Sequence, residues 1–168
     1  MSQLVLPHGP VRFNQIGYVV RDLDAAVRAY ADRLGIGGWL VYTYGAPMLK
    51  DMTYRGRPHP YRMRLALTQC GDLQLEFIQS LEGPNIYEEF LERHGEGVHH
   101  LGVVVPDLVV AVREMERQGY RVIQSGGRHG KNGDGGFAYF ETESVFGTTL
   151  ELIQRPAERV SPEAVYPP

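Results

Sequence analysis

An α+β fold built from two β-α-β-β-β modules is predicted by three features of this 168-residue sequence. Residues 15 to 30, "QIGYVVRDLDAAVRAY", align without a gap on residues 100 to 115, "HLGVVVPDLVVAVREM", with eight of sixteen positions identical. A second pair, "LEFIQ" at 75 to 79 and "LELIQ" at 150 to 154, differs at one residue. Each longer segment passes from a β-branched run to apolar residues at helical spacing, the pattern of a strand, a turn and a helix. Self-similarity of this kind marks a duplicated module.

The first module is placed at 11–81. Its opening strand ends at Asp22, whose carboxylate can cap a helix carrying Leu23, Ala26, Val27 and Tyr30 on one face, with Gly35 as the stop. Strands are expected at 39–44, 61–68 and 73–79. The linker, 82–96, has Pro84 at its start, apolar Ile86, Tyr87, Phe90 and Leu91, and Gly95 at its end, which predicts a short helix. The second module, 97–155, repeats the plan: Asp107 caps a helix with Leu108, Ala111, Val112 and Met115 on one face, and Gly119 ends it. Its further strands are expected at 120–124, 136–141 and 148–154. The ends, 1–10 and 156–168, are rich in Pro without periodicity and are expected to be flexible or to wrap the surface. No chemistry is assigned to them.

With 43% hydrophobic and 22% charged residues the composition is that of an ordinary globular protein. A net charge of −3 argues against a nucleic-acid partner, and Lys50, Arg55 and Arg57 are too few to change that. The single Cys70 allows no intramolecular disulfide and no thiolate zinc site, so a cytoplasmic location is expected. The start, "MSQLVLPHGP", lacks the pattern of a secretory signal, and no apolar run approaches the length of a membrane span, so no membrane partner is expected.

The paired modules, the stretches "QIGYVVRDLDAA" and "GVHHLGVVVPDL", and the two LE(F/L)IQ strands resemble the vicinal oxygen chelate superfamily, the glyoxalase, bleomycin resistance and dioxygenase proteins. The resemblance covers roughly residues 11–155. The linker and second module are most similar to methylmalonyl-CoA epimerase-like proteins, through the helix, the Gly and the double His between Pro84 and His100. It implies a partly open, eight-stranded curved sheet around a metal-binding cleft, with one divalent ion held by the first and last strand of each module. Carried over by position, the ligands are Gln15, Glu76, His100 and Glu151, and the ion is Zn, Mn, Co, Ni, Mg or Fe. A homodimer is expected as well, with the apolar strands near Trp39 and Tyr42 as the contact.

The residues support such a site without the resemblance. Alternate strand residues share a face, so Gln15 lies with Gly17 and His100 with Gly102, leaving open space beside each. Leu75, Phe77, Leu150 and Leu152 are expected on the buried opposite side from Glu76 and Glu151. Two converging carboxylates repel, and a divalent ion removes the conflict. By the same alternation His99 is expected to face away from His100, as a packing or supporting residue. His59, His94 and His129 stand in loop-like surroundings and are expected to be solvated. The glycine-rich "SGGRHGKNGDGG", 125–136, is open to two readings, a loop closing over an anionic substrate or a plain flexible hairpin.

What the resemblance implies chemically is proton transfer next to a carbonyl. The metal acts as a Lewis acid on an enolate, and Glu151 and Glu76 are the candidate bases. The expected function is a metal-dependent isomerase, epimerase or lyase of a small carbonyl or thioester substrate. The chain departs from methylmalonyl-CoA epimerase in having Gln15 where that enzyme has a His. It also lacks an acid between His59 and Thr68, where the epimerase carries a further Glu base, and this counts against a two-base mechanism. Gln15 counts equally against the two-His, one-carboxylate set of the dioxygenases. The alternative is a ligand-sequestering protein without turnover, whose cleft would be lined by Trp39, Tyr42, Tyr44 and Tyr61.

Overall fold

The computed structural model describes residues 4–7 and 9–167. In chain order the elements are β1 Gln15–Val19, α1 Leu23–Leu34, β2 Trp39–Tyr44, β3 Lys50–Tyr54, β4 Arg57–Pro58, β5 Arg62–Cys70, β6 Leu73–Glu82, α2 Ile86–His94, β7 Gly97–Val104, α3 Leu108–Arg117, β8 Val122–His129, β9 Gly135–Phe140, α4 Glu143–Phe146, β10 Thr149–Gln154 and β11 Ala164–Tyr166. Helix starts follow the capping chemistry. The Asp22 carboxylate accepts from Ala25 N and that of Asp107 from Val110 N, while Asn85, not Pro84, caps α2 by accepting from Tyr87 N and Glu88 N. Gly35 ends α1 in the left-handed conformation that a glycine adopts at least cost.

All strands join one sheet in the order β11-β2-β5-β6-β1-β7-β10-β9-β8-β3-β4. Each module supplies a four-strand half, β2-β5-β6-β1 and β7-β10-β9-β8, and within each half the first strand runs parallel to the last, β1 with β6 and β7 with β10. The halves meet where β1 pairs antiparallel with β7. The eight expected strands are thus present, and the sheet has eleven because three short strands were not anticipated. β3 and β4 form a hairpin within the β2–β5 connection that crosses to the far edge and pairs with β8. β11 adds to the edge of β2. Those segments show little strand periodicity and are recruited by open sheet edges, whose unpaired amides and carbonyls need partners.

The sheet is curled, because Tyr44 from β2 and His129 from β8, far apart in strand order, line one cavity and approach to 3.5 Å. Its convex side carries two cores. One lies under α1, with Leu23, Val27, Trp39, Leu75 and Phe77; the other lies under α3, with Val103, Ala111, Met115, Phe140 and Leu152. A third core fills the concave side, with Tyr42, Tyr44, Leu49, Tyr61, Leu65 and Phe137. Trp39 stacks on Phe77 at 4.6 Å, so it belongs to the convex core and not to a cleft. With Trp39 at 0% and Tyr42 at 1% exposure, the strands expected to offer a dimer contact present no such surface. Among the described residues no helix is long and apolar enough to cross a membrane.

Candidate metal centre

The β1–β7 seam sets the centre by register. Gln15 pairs with Gly102 and Gly17 with His100, while in the parallel pairs Glu76 lies beside Gly17 and Glu151 beside Gly102. The glycines act across the seam, not along their own strands as the alternation suggested. A Cβ on Gly17 would fall 1.8 Å from Cε1 of His100, and one on Gly102 would fall 2.7 Å from Oε1 of Gln15. Each module's glycine therefore makes room for the other module's candidate ligand.

Glu76, His100 and Glu151 converge within one chain, and Gln15 lines the same cavity as the two carboxylates. Nε2 of His100 lies 3.2 Å from Oε2 of Glu76 and 3.2 Å from Oε2 of Glu151, and ligating atoms of these three residues all lie within 4.8 Å of one another. All four residues are buried, yet Oε1 of Gln15, Oε2 of Glu76, Nε2 of His100 and Oε2 of Glu151 have no hydrogen-bond partner. The His–Glu contacts are close enough for ion pairs but lack the alignment of hydrogen bonds. Buried polar atoms are nearly always satisfied, so four unsatisfied ones, three of them on residues whose ligating atoms lie within 4.8 Å of one another, fit a cation that accepts one nitrogen and three oxygens.

Supporting groups fix the orientation. Nε2 of Gln15 donates to Oε1 of Gln74 at 3.1 Å, which leaves the Gln15 oxygen for the centre. His99 does not face away: the strand pairing skips a residue between Gly17–His100 and Tyr18–Val98, so His99 is the extra residue of a β-bulge. Its Nδ1 lies 3.0 Å from Nδ1 of His100. Burial pushes His99 well below the ordinary histidine range, helped by the charge on His100. In the tautomer in which His100 donates Nδ1–H to a neutral His99, Nε2 of His100 is left as the free donor atom, the arrangement expected behind a metal-bound imidazole. Burial opposes a charged His100, but Glu151 and Glu76 outweigh it and bring its pKa up to about 9. Glu151 is raised, first by burial, with the neighbouring Glu76 adding and His100 and Tyr139 opposing.

Sequence reasoning missed two participants, Tyr139 and His129, whereas Tyr44 lines the cavity as expected. Tyr139 on β9 sits beside Glu151, meets the His100 ring edge-on at 5.1 Å and accepts a hydrogen bond from the Tyr87 hydroxyl at 3.1 Å. His129, expected in solvent, is buried in the cavity wall because the run 125–129 continues β8; only 130–134 form a turn. Burial, then Arg159, push its pKa down to about 4. Tyr44 faces it, its hydroxyl pushed up to about 12 by burial. Of the other two histidines expected in solvent, His59 is half-buried, and His94 is exposed with Nε2 3.2 Å from Glu143. The cations of the glycine-rich stretch are already engaged, Arg128 with Asp51 at 2.7 Å and Lys131 with Glu158. The cavity at the centre, about 40 Å³, is lined by Gln15, Glu76, Glu151, Tyr44, His129 and Phe137 among others, room for an ion with roughly two or three waters.

A family model described as the Glyoxalase/Bleomycin resistance protein/Dioxygenase superfamily matches residues 14–140. A curated relative, the uncharacterised protein YqjC of Bacillus subtilis, is 27% identical over 93 residues, which span 55% of this chain and 66% of the relative. Among solved structures, the methylmalonyl-CoA epimerase of Mycobacterium tuberculosis superimposes with a TM-score of 0.62 at 24% identity over 93% of both chains. A Streptomyces coelicolor methylmalonyl-CoA epimerase variant, in complex with 2-nitronate-propionyl-CoA, gives 0.62 at 22% identity over 88% of this chain and 99% of that one. At these identities the likeness establishes the fold.

Proposed function

The chain belongs to the Glyoxalase/Bleomycin resistance protein/Dioxygenase superfamily, and on that footing we propose that it is a metal-dependent isomerase, epimerase or lyase that moves a proton on the carbon next to a carbonyl. The observation that carries this reading is the set of four buried, unpartnered atoms on Gln15, Glu76, His100 and Glu151. One nitrogen and three oxygens suit Zn, Mn, Co, Ni, Mg or Fe. When bound, the ion supplies Lewis-acid stabilisation of the negative charge that grows on the carbonyl oxygen.

The chain's own residues do the rest. Glu76 and Glu151 balance a dication, and their carboxylates are the bases that face the cavity. Glu151 is the stronger candidate to take the proton, since burial raises its basicity and the Tyr139 hydroxyl beside it steadies its ionised form. His99 holds the His100 ring, Gln74 holds the Gln15 amide, and the concave core keeps bulk water away. Methylmalonyl and related 2-branched acyl thioesters are the first substrates to test, because structural relatives bind such CoA compounds.

A sequestering protein needs a roomy cleft and no ion, whereas the unpartnered donor set favours the ion. The test is metal content by elemental analysis, together with deuterium uptake from solvent followed by NMR on methylmalonyl thioesters and 2-hydroxy carbonyl compounds. The expected result is about one divalent ion per chain and exchange at the substrate carbon. A metal-loaded protein that binds these compounds but exchanges none of them returns the reading to sequestration.

A further inference from the structure

The segment after β10 belongs to neither repeat, yet it crosses the mouth of the cavity. At the second module it is held by Ala157 N donating to Oδ2 of Asp134 at 3.0 Å and by Lys131 N donating to the Glu158 carbonyl at 2.9 Å. At the first module Glu163 N donates to the Val41 carbonyl, Thr43 N donates to Oε1 of Glu163, and β11 then pairs with β2. Between the two anchorages, Arg155 and Arg159 line the same cavity as Gln15, Glu76 and Glu151. Arg155 is exposed and Arg159 half-buried, which puts the pair at the opening.

These two guanidinium groups are set up to receive something. Neither has a carboxylate within 4.0 Å among the described residues, in contrast to Arg128 and Lys131 nearby. Burial, then the charge of Arg159, lower the pKa of Arg155, so the two cations feel each other. Arg159 also lies beside the Tyr44 hydroxyl and His129, both neutral groups that can hydrogen-bond and cannot cancel its charge. The carboxylates at the other end of the cavity are committed to the metal in the function proposed above. Holding two like charges together at an opening is unfavourable until an anion lies between them, and a guanidinium pair matches the planar oxygens of a carboxylate or the oxygens of a phosphoryl group.

We propose that Arg155 and Arg159 form an anion-recognition subsite, so that the substrate carries a carboxylate or phosphoryl group in addition to the carbonyl that faces the metal. The inference rests on the reading of the cavity as the place where a carbonyl compound binds. It makes the strap at 155–163 the part of the chain that selects the substrate.

The test keeps one metal-facing head constant and varies the tail. Calorimetric titrations of the zinc-loaded protein compare 2-oxoglutarate and 2-oxo-4-phosphonobutyrate with uncharged-tail 2-oxopentanoate, and the same titrations are repeated without the ion. The expected result is a preference of about tenfold or more for the anionic tails, the scale of a charge-assisted hydrogen bond, and the favoured tail identifies carboxylate or phosphoryl as the natural group. In Arg155→Met and Arg159→Met the ratio of affinities should fall towards one, and Arg159→Lys should restore part of it, with circular dichroism melting curves establishing that each variant is folded. Equal affinities for all tails in the wild type, or a preference that survives in the double Met variant, overturn the proposal. An arginine-dependent preference without deuterium exchange sinks the catalytic reading and leaves this one standing; exchange without a tail preference does the reverse.

Discussion

The two modules are alike where they hold the candidate metal site and unlike where they enclose it. Each gives one residue from its first strand, one carboxylate from its last strand and one glycine that accommodates the partner's ligand. They part in their connections. The second module turns from β8 to β9 through residues 130–134, whereas the first uses 45–61 between β2 and β5 to send a hairpin across to β8. The tail adds a second crossing in the opposite sense. The repeated parts thus set the chemistry of the centre, and the unrepeated parts decide how the cavity is closed and what reaches it.

The strongest way to break the symmetry is at the glycines. Gly17→Ala puts a Cβ into the His100 ring, which cannot stay in place, so metal affinity should fall by more than about 10²-fold, beyond the usual cost of disturbing a ligand's support. Gly102→Ala meets Oε1 of Gln15 and Cδ1 of Ile153, which can move, and Cβ of Gln15, which shifts only with its strand, and should lose about tenfold. Competition with a chromogenic chelator measures both, and equal losses would mean that the two halves of the seam are equivalent.

The carboxylates come next. Glu151→Gln should lower deuterium exchange at the substrate carbon by about 10²-fold or more, the scale of a lost general base, as read by NMR on metal-replete samples. Exchange at the wild-type rate would remove Glu151 from the chemistry.

The enclosing parts answer to pH. His129 is neutral in the folded chain with a pKa of about 4, against about 6.5 when unfolded. Below pH 6.5 the unfolded chain binds a proton that the folded one refuses. The associated stability is therefore complete above 6.5 and lost progressively as pH falls towards 4, by about 2 kcal/mol at pH 5. Urea midpoints at pH 7 and pH 5 should differ less in His129→Asn than in the wild type. An identical pH dependence in the two proteins would count against a buried His129.

Gln15 gives the smallest effect. Gln15→Ala should weaken metal binding by about tenfold without abolishing it, because a neutral oxygen is readily replaced by water. Gln15→His, which makes the two modules chemically alike, should keep the ion, since Gly102 leaves the room that Gly17 leaves for His100.

Local order and the duplication were legible in the sequence because both rest on short-range rules. Asp22 and Asp107 cap their helices, Leu75 and Phe77 alternate with Glu76, and a position repeated as Gln15 and His100 carries its partner glycine with it. The quartet Gln15, Glu76, His100 and Glu151 came from the repeat and the family resemblance together. Three matters were decided only by the tertiary structure. A single inserted residue in the β1–β7 pairing turned His99 towards His100, and a bulge leaves no periodic trace. The continuation of β8 through a glycine-rich stretch buried His129, because its pairing partners, β3 and β9, lie elsewhere in the chain. The curling of the sheet brought the β8–β9 turn and the edge at β2 within reach of one strap, and so placed Arg155 and Arg159 over the cavity. Spacing along the chain records which face a side chain takes within its own element, whereas what it meets across the cavity depends on contacts between residues with no neighbouring position in sequence.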